Sequence, residues 1–489
     1  MLGPCLSLLT SLSLVLGGVL QFLSLDSAGQ VASCLGVGCL LFGVCLPKRF
    51  AVTREKVLAL LAPWFAVFGL GSTFVLLVAY LLLSFRWTRL SELYGWALPL
   101  WAVLVAWQLG WWSVQAEWGM ISELASKTDA SACLMSALRS RSLPVVSQFY
   151  DFCRMLLLMC FIGYFVNFET RRDEVLRWIP WGFGGAVFLS LVQVFSPLGT
   201  YFPAQTDFWS GLSRFVGAFE DPNAFGVASF LSVPLLLVSR SQRSKTVHLD
   251  VLIAALCLVA LYSGSRTFLL GLILFLILSA CALFRNGRPP FRALFVMGLL
   301  VVGVPLILMF VLDSQSLPNS LVRVKELLVS GDIATALFSR MVFARIGLHE
   351  WFDYPLFGIG WGRFGSFVTP YSEYLGLGIG SWSDNANNFY LGILAELGIV
   401  GGVALVVSLL FLTPRLAEPC SVNARRGVLC FAVLLMVGPH FLNDSVLFLF
   451  SLLVSIGYTT RVLSGMWKHL TLQLLPFFAV LSVLNFQYS

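Results

Sequence analysis

The sequence is short of charge. Lysine, arginine, aspartate and glutamate make up 11% of its 489 residues, against about 25% in a soluble domain. So few charges exclude an ordinary water-exposed surface over most of the chain. It also lacks cysteine patterning. Of its 11 cysteines, all but Cys133 fall in or close to apolar runs, with no CxxC pair and no Cys/His cluster. Neither a disulfide framework nor a metal site is expected, and no cofactor is implied. No basic segment precedes the first apolar run, so an ordinary signal peptide is not expected. No internal repeat is visible.

What is present is hydrocarbon. Hydrophobic residues make up 58% of the chain, and the mean hydropathy is +0.88. Apolar runs near 20 residues recur throughout, which predicts an all-α polytopic membrane protein with about 13–15 transmembrane helices. Candidate spans lie at roughly 4–24, 30–46, 57–83, 93–112, 150–168, 175–195, 223–239, 249–263, 266–284, 292–312, 387–412, 426–440, 445–461 and 470–486. The formal net charge of +7 does not indicate a nucleic-acid partner, because the basic residues sit in short loops between spans. "ETRRDEVLR", "SRSQRSK", "RNGRPPFR", "TPRLAEPCSVNARR" and "RVLSGMWKH" alternate with less basic loops, and the positive-inside bias assigns them to the cytoplasm. "PKRFAVTREK" and "FRWTR" break this alternation in the N-terminal third, where Pro63, Gly69 and Gly71 suit a re-entrant pair. Seven tryptophans between 87 and 118 fit an interfacial aromatic belt better than sugar stacking.

Three regions follow: N-terminal membrane helices (1–312), one large extracytoplasmic loop (313–386) and C-terminal membrane helices (387–489). Loops of such length are usually functional or disordered, and this one has the composition of a folded segment. "IATALFSRMVFARIGLHEWF" places Ile333, Leu337, Met341, Leu348 and Phe352 on one helical face, predicting an amphipathic helix at the membrane surface.

Two arginines stand at the extracytoplasmic edges of spans: Arg214 in "SRFVGAFEDPNAFG" and Arg266 in "YSGSRTFLLG". An arginine at the centre of a membrane helix costs about 2.5–3.5 kcal/mol, and less near the edge. A snorkelling interfacial arginine explains each one separately about as well as function does. Together they suit a diphosphate clamp, because guanidinium forks match phosphate oxygens and stay charged. Arg340, Arg345 and Arg363 in the loop can add charge.

The segments "RFVGAFEDPNAFG", "YSGSRTFLLG", "ARIGLHEWFDYPLFGIGWGRF" and "NNFYLGILAELGIVGG" occur in that order, and over residues 205–412 the sequence resembles the O-antigen ligase/polymerase superfamily. The resemblance implies a GT-C-like glycosyltransferase in the bacterial inner membrane with its site facing the periplasm. Its implied partners are an undecaprenyl-diphosphate-linked glycan donor, a glycan acceptor, membrane lipid and, as a further candidate, a chain-length regulator. An acceptor hydroxyl would attack the anomeric carbon, and undecaprenyl diphosphate would leave. The resemblance carries the diphosphate role to Arg214 and Arg266. No DxD motif occurs, consistent with a metal-independent reaction.

In the ligases the motif reads like "HNxYL", and its histidine is the proposed base. Here Asn387 takes that position, and an amide cannot accept the proton at neutral pH. Either another group is the base, with Asp384, His440 and Asp444 as candidates, or a dissociative transition state needs none. Two of these have a plain structural alternative, a helix cap for Asp384 and a packed side chain for His440. Asn387 and Asn388 suit hydrogen bonds to a sugar or phosphate, and Arg340 and Arg345 are further substrate-binding candidates. Gly392, Gly398, Gly401 and Gly402 would allow close helix approach, and Glu396 needs a partner or a cavity. Without the ligase histidine, the expectation is a glycan polymerase. The alternatives are a ligase acting on lipid A core and a non-enzymatic flippase of lipid-linked glycans.

Overall fold

The computed structural model describes residues 54–61, 161–165, 169–195, 215–241, 247–285, 321–325, 333–377, 386–412, 419–440 and 443–456, apart from isolated positions. Arg214, Asp384, the tryptophan-rich segment and most of the spans before 169, with 292–312 and 470–486, lie outside them. The described residues are helical, with no strand among them.

Among the described residues ten α-helices are bounded: α1 (Arg54–Leu61), α2 (Glu169–Phe195), α3 (Pro222–Ser241), α4 (Val247–Tyr262), α5 (Arg266–Arg285), α6 (Ile333–Asp353), α7 (Phe364–Tyr374), α8 (Phe389–Leu412), α9 (Pro419–Leu434) and α10 (Asp444–Ile456). A 3₁₀ turn, Leu435–Val437, extends α9. Helix α3 is the hub and packs against α2, α4, α5, α9 and α10. Short links at 242–246 and 263–265 make α3, α4 and α5 alternate in direction, so α3 and α5 begin at the same end. The core between them is aromatic: Phe161, Phe165, Phe230, Phe268, Phe431, Phe448 and Phe450 are fully buried.

Among the described residues one helix, Pro222–Arg240, is long and apolar enough to cross a membrane; α4 and segments of α5, α8 and α10 are apolar but shorter. Val251 and Leu258 on α4, and Ile273 and Ile277 on α5, are exposed, so these helices present apolar side chains outward as well as inward. Several buried serines return their hydroxyls to their own helix, as Ser232 Oγ does to the Ala228 carbonyl (2.6 Å) and Ser451 Oγ to the Leu447 carbonyl (2.8 Å). That satisfies a polar group where no water is at hand.

Two segments read as basic loops are partly helical. "ETRRDEVLR" forms the first turns of α2, because its charges find partners there. Arg171 Nη1 pairs with the buried Glu55 of α1 at 2.8 Å, and Arg172 Nη1 donates to the Ser455 carbonyl at the end of α10 (3.0 Å). "TPRLAEPCSVNARR" likewise enters α9 from Pro419, and Arg426 Nη1 donates to Ser279 Oγ of α5 (3.2 Å). The ends of α3, α5 and α10 and the starts of α2, α4 and α9 therefore form one basic end of the bundle. Arg240 there pairs with Asp250 at 3.0 Å.

The second correction concerns 387–412, read as an unbroken span. Helix α8 is interrupted at Gly398, with φ 62° and ψ −162°. The turn after α6 inserts its backbone into the break. Ile359 and Gly360 N–H donate to the Ala395 and Glu396 carbonyls (2.9 and 2.8 Å), and Ile399 and Val400 N–H donate to the Pro355 and Leu356 carbonyls (2.8 and 3.1 Å). Four of the backbone groups around the break are thus paired by one turn. At Gly398 a Cβ would overlap the Leu356 carbonyl, and at Gly358, also at positive φ, it would overlap Glu396 backbone. The glycines at these two positions serve a backbone clip; at Gly398 this replaces the close helix packing expected there.

Candidate functional site

Three of the sequence motifs hold capped helix starts, and a fourth capped start opens α10. Asp221 accepts N–H bonds from Asn223 (3.0 Å) and Ala224 (3.3 Å) at α3. Ser265 Oγ accepts from Phe268 N–H (3.4 Å) at α5. Asn388 Oδ1 accepts from Leu391 N–H (3.1 Å) at α8. Asn443 Oδ1 accepts from the N–H groups of Ser445 (3.1 Å) and Val446 (3.2 Å) at α10. Each side chain satisfies donors that have no partner within the first helical turn. At α8 the capping side chain among the described residues is Asn388, whose carbonyl is committed to the backbone.

These starts gather at the end opposite the basic one. A Cβ on Gly226 would overlap Ser265, so α3 and α5 meet where both begin. Phe215 and Tyr262 pack edge to face with centroids 6.4 Å apart, closing the same end. Tyr390 Oη donates to the Ala432 carbonyl (2.6 Å), tying the start of α8 to the end of α9, and α10 begins a few residues later. Partial positive charge from several helix starts therefore collects on one side of the bundle.

Arg266 is the first residue of α5. Arg340 of α6 is partly buried, and the Arg266 charge acts on it. Burial first, and that charge second, hold the Arg340 guanidinium below its ordinary value. The Arg340 charge also reaches His440. Helices α5 and α6 and the α9–α10 turn thus bring Arg266, Arg340 and His440 together, although their motifs are far apart in sequence. Among the described residues no carboxylate pairs with either arginine, so two like charges face one region without a counter-ion. An anion placed between them would relieve that repulsion.

His440 is 8% exposed. Its ring hydrogen-bonds the Leu434 backbone carbonyl, and its Nε2 has no partner among the described residues. A ring that donates from one nitrogen to a carbonyl keeps a lone pair on the other. Asn387, the neighbour of the α8 cap, has φ 51°, a left-handed conformation that asparagine tolerates better than most side chains.

Arg345 is placed differently. It lies on the exposed face of α6 with Met341, Leu348 and Phe352, about 140° round the helix from Arg340. Three residues of the face expected to be apolar, Met341, Leu348 and Phe352, are indeed exposed. A second apolar face, with Val342, Phe343 and Ile346, packs with Phe364, Val368 and Ala395 under the loop. Arg363 is occupied by the turn: Nη1 donates to the Ile359 carbonyl (3.2 Å), and the guanidinium lies over Phe367 at 5.0 Å. Glu396 does have a partner, accepting the Phe364 N–H at 3.1 Å and capping α7.

The described residues thus define a helical protein with a cationic, helix-start-lined region at one end of its bundle, fed by a loop clipped into a broken helix. Residues 251–406, from α4 into α8, match the family model described as O-antigen ligase, which supports the O-antigen ligase/polymerase superfamily. No curated protein matches the chain.

Proposed function

We propose that this protein is a polytopic inner-membrane glycosyltransferase that joins glycan repeat units carried on undecaprenyl diphosphate. The observation that carries this reading is the meeting of Arg266, Arg340 and His440 beside capped helix starts. Arg266 and Arg340, joined by Arg214, would hold the donor diphosphate and stabilise the charge that grows on it as it leaves. The acceptor hydroxyl forms the new bond at the anomeric carbon, the bond to the diphosphate oxygen breaks, and the hydroxyl proton passes to a base. His440 suits that role through its Nε2, which has no partner among the described residues, and Asp384 is the rival from sequence. Asn387 and Asn388 would orient sugar hydroxyls. Arg345, on the exposed face of α6, suits a lipid or glycan headgroup.

The gathering of basic side chains at the far end of the bundle supports a cytoplasmic placement of that end. The site and the loop at 313–386 then face the periplasm, with membrane regions before and after the loop. The matched family's name favours the second reading, transfer of finished glycan to lipid A core. Asn387 in place of the ligase histidine favours polymerisation, in which the acceptor is a second lipid-linked repeat and a chain-length regulator is a fitting partner. Deleting the gene and sizing the lipid-linked glycans separates the two. A polymerase deletion leaves single repeat units. Full-length polymer accumulating on the lipid carrier would overturn polymerase in favour of ligase.

A further inference from the structure

Glu350 is the buried acid that this mechanism leaves unused. It lies on the packed face of α6 with no exposed surface, and neither of its carboxyl oxygens has a hydrogen-bond partner among the described residues. A carboxylate in such a place would leave several strong acceptors empty.

Its electrostatic surroundings are acidic. Glu396 acts on it from α8. From α7, Tyr371 lies within reach of its charge and donates its hydroxyl to Asp353, at the end of α6. Tyr354 follows on the same stretch. Arg363, in the turn after α6, is held by the Ile359 carbonyl and the Phe367 ring. Ionised Glu350 would therefore set a buried negative charge close to that of the half-buried Glu396. A protonated carboxyl avoids that and gains an O–H to donate.

We propose that Glu350 is a positioning residue that works as a neutral acid: kept protonated in the packed face of α6, it lets the C-terminal end of α6 stay seated against the broken helix α8, where an ionised carboxylate would repel Glu396. Arg340 lies ten residues earlier on the same helix, about 15 Å along its axis. A seated α6 keeps Arg340 turned toward Arg266 and His440. The inference rests on the reading of Arg340 as a site residue. Burial, followed by the Glu396 charge, pushes the Glu350 carboxyl from 4.5 up to about 9, so at neutral pH it keeps its proton.

The test compares full-length wild type, Glu350→Gln and Glu350→Ala in lipid nanodiscs. Glutamine keeps the shape and the donor but cannot ionise. A carboxyl whose folded pKa is raised favours the fold fully below its unfolded pKa, and that advantage is lost as pH rises toward the folded value. Wild-type stability relative to Glu350→Gln should thus fall between pH 4.5 and about 9 and level off above. With a polyprenyl-diphosphate oligosaccharide as substrate, wild-type turnover should drop about tenfold from pH 8 to pH 10, following the protonated fraction. Glu350→Gln should match wild type at pH 7.5 and lack that drop, and Glu350→Ala should be slow at every pH.

Parallel stability profiles for wild type and Glu350→Gln would overturn the proposal. So would a folded Glu350→Gln that is inactive at pH 7.5, since the carboxylate itself would then be needed. A stability difference with no alkaline fall in turnover would overturn the link to Arg340. Should wild type transfer no glycan at all, the functional reading fails, and the stability comparison still decides on Glu350.

Discussion

Glu396 accepts the backbone N–H of Phe364 at 3.1 Å, across 32 residues of chain. The same short stretch of α8 takes four backbone hydrogen bonds from or to the turn at 355–360. One break in a helix thus anchors the C-terminal end of α6, the helix that carries Arg340.

That anchor gives the first prediction. Gly398→Ala places a Cβ on the Leu356 carbonyl and forces an L-residue into a conformation that essentially only glycine visits. Backbone strain alone should cost about 1–3 kcal/mol, and the overlap adds to it. Glu396→Gln keeps an acceptor for Phe364 and should be mild; Glu396→Ala should lose about 1 kcal/mol of capping. Thermal unfolding in detergent and protease sensitivity at 354–363 check the order. Gly398→Ala with wild-type stability and no new cleavage would contradict the clip.

The second prediction concerns charge. Arg266→Ala and Arg340→Ala should each lower turnover about 10²–10³-fold while the protein still inserts, as for one lost donor to a developing anion. Lysine at either position restores charge without the planar fork, so rescue should be partial. Arg345→Ala, on the exposed face of α6, should leave turnover within a few-fold of wild type. The check is product formation from a defined lipid-diphosphate oligosaccharide. Equal losses at 340 and 345 would show that general positive charge, and not the meeting with Arg266, matters.

The sequence carried the helices and the motif order because both are local. Apolar runs located α3, α4 and α5, whereas the side chains that cap helix starts, such as Ser265 and Asn388, were not picked out as caps. The break at Gly398 was not legible. Glycine inside an apolar run reads equally as close helix packing, and the donors that repair the break come from residues some 40 positions earlier. Glu350 was hidden for a similar reason: in "GLHEWFDYP" it resembles any solvated glutamate, and only the packing of α6 on α8 buries it. Arg340 and Arg345 look alike in sequence, and the rotation of α6 separates them. The meeting of Arg340 with His440 depends on tertiary packing alone.

The last prediction separates the base from the binding groups. His440 has an Nε2 without a partner among the described residues, held in place by the Leu434 carbonyl. Asn388 spends its side-chain oxygen on the α8 cap, and Asn387 carries an amide that cannot accept a proton. His440→Ala should therefore reduce turnover about 10²–10⁴-fold, the usual range for a general base, with little change in KM for the lipid-linked donor. His440→Gln, which keeps a polar side chain but no basic nitrogen, should be nearly as slow. Asn387→Ala should act mainly through KM. Restoring the ligase residue in Asn387→His tests whether a base at that position can substitute: combined with His440→Ala it should recover part of the lost turnover. Steady-state kinetics on the four variants decide the matter. A His440→Ala enzyme with unchanged kcat would remove the histidine from the chemistry, leaving Asp384 or a dissociative transition state stabilised by the arginines.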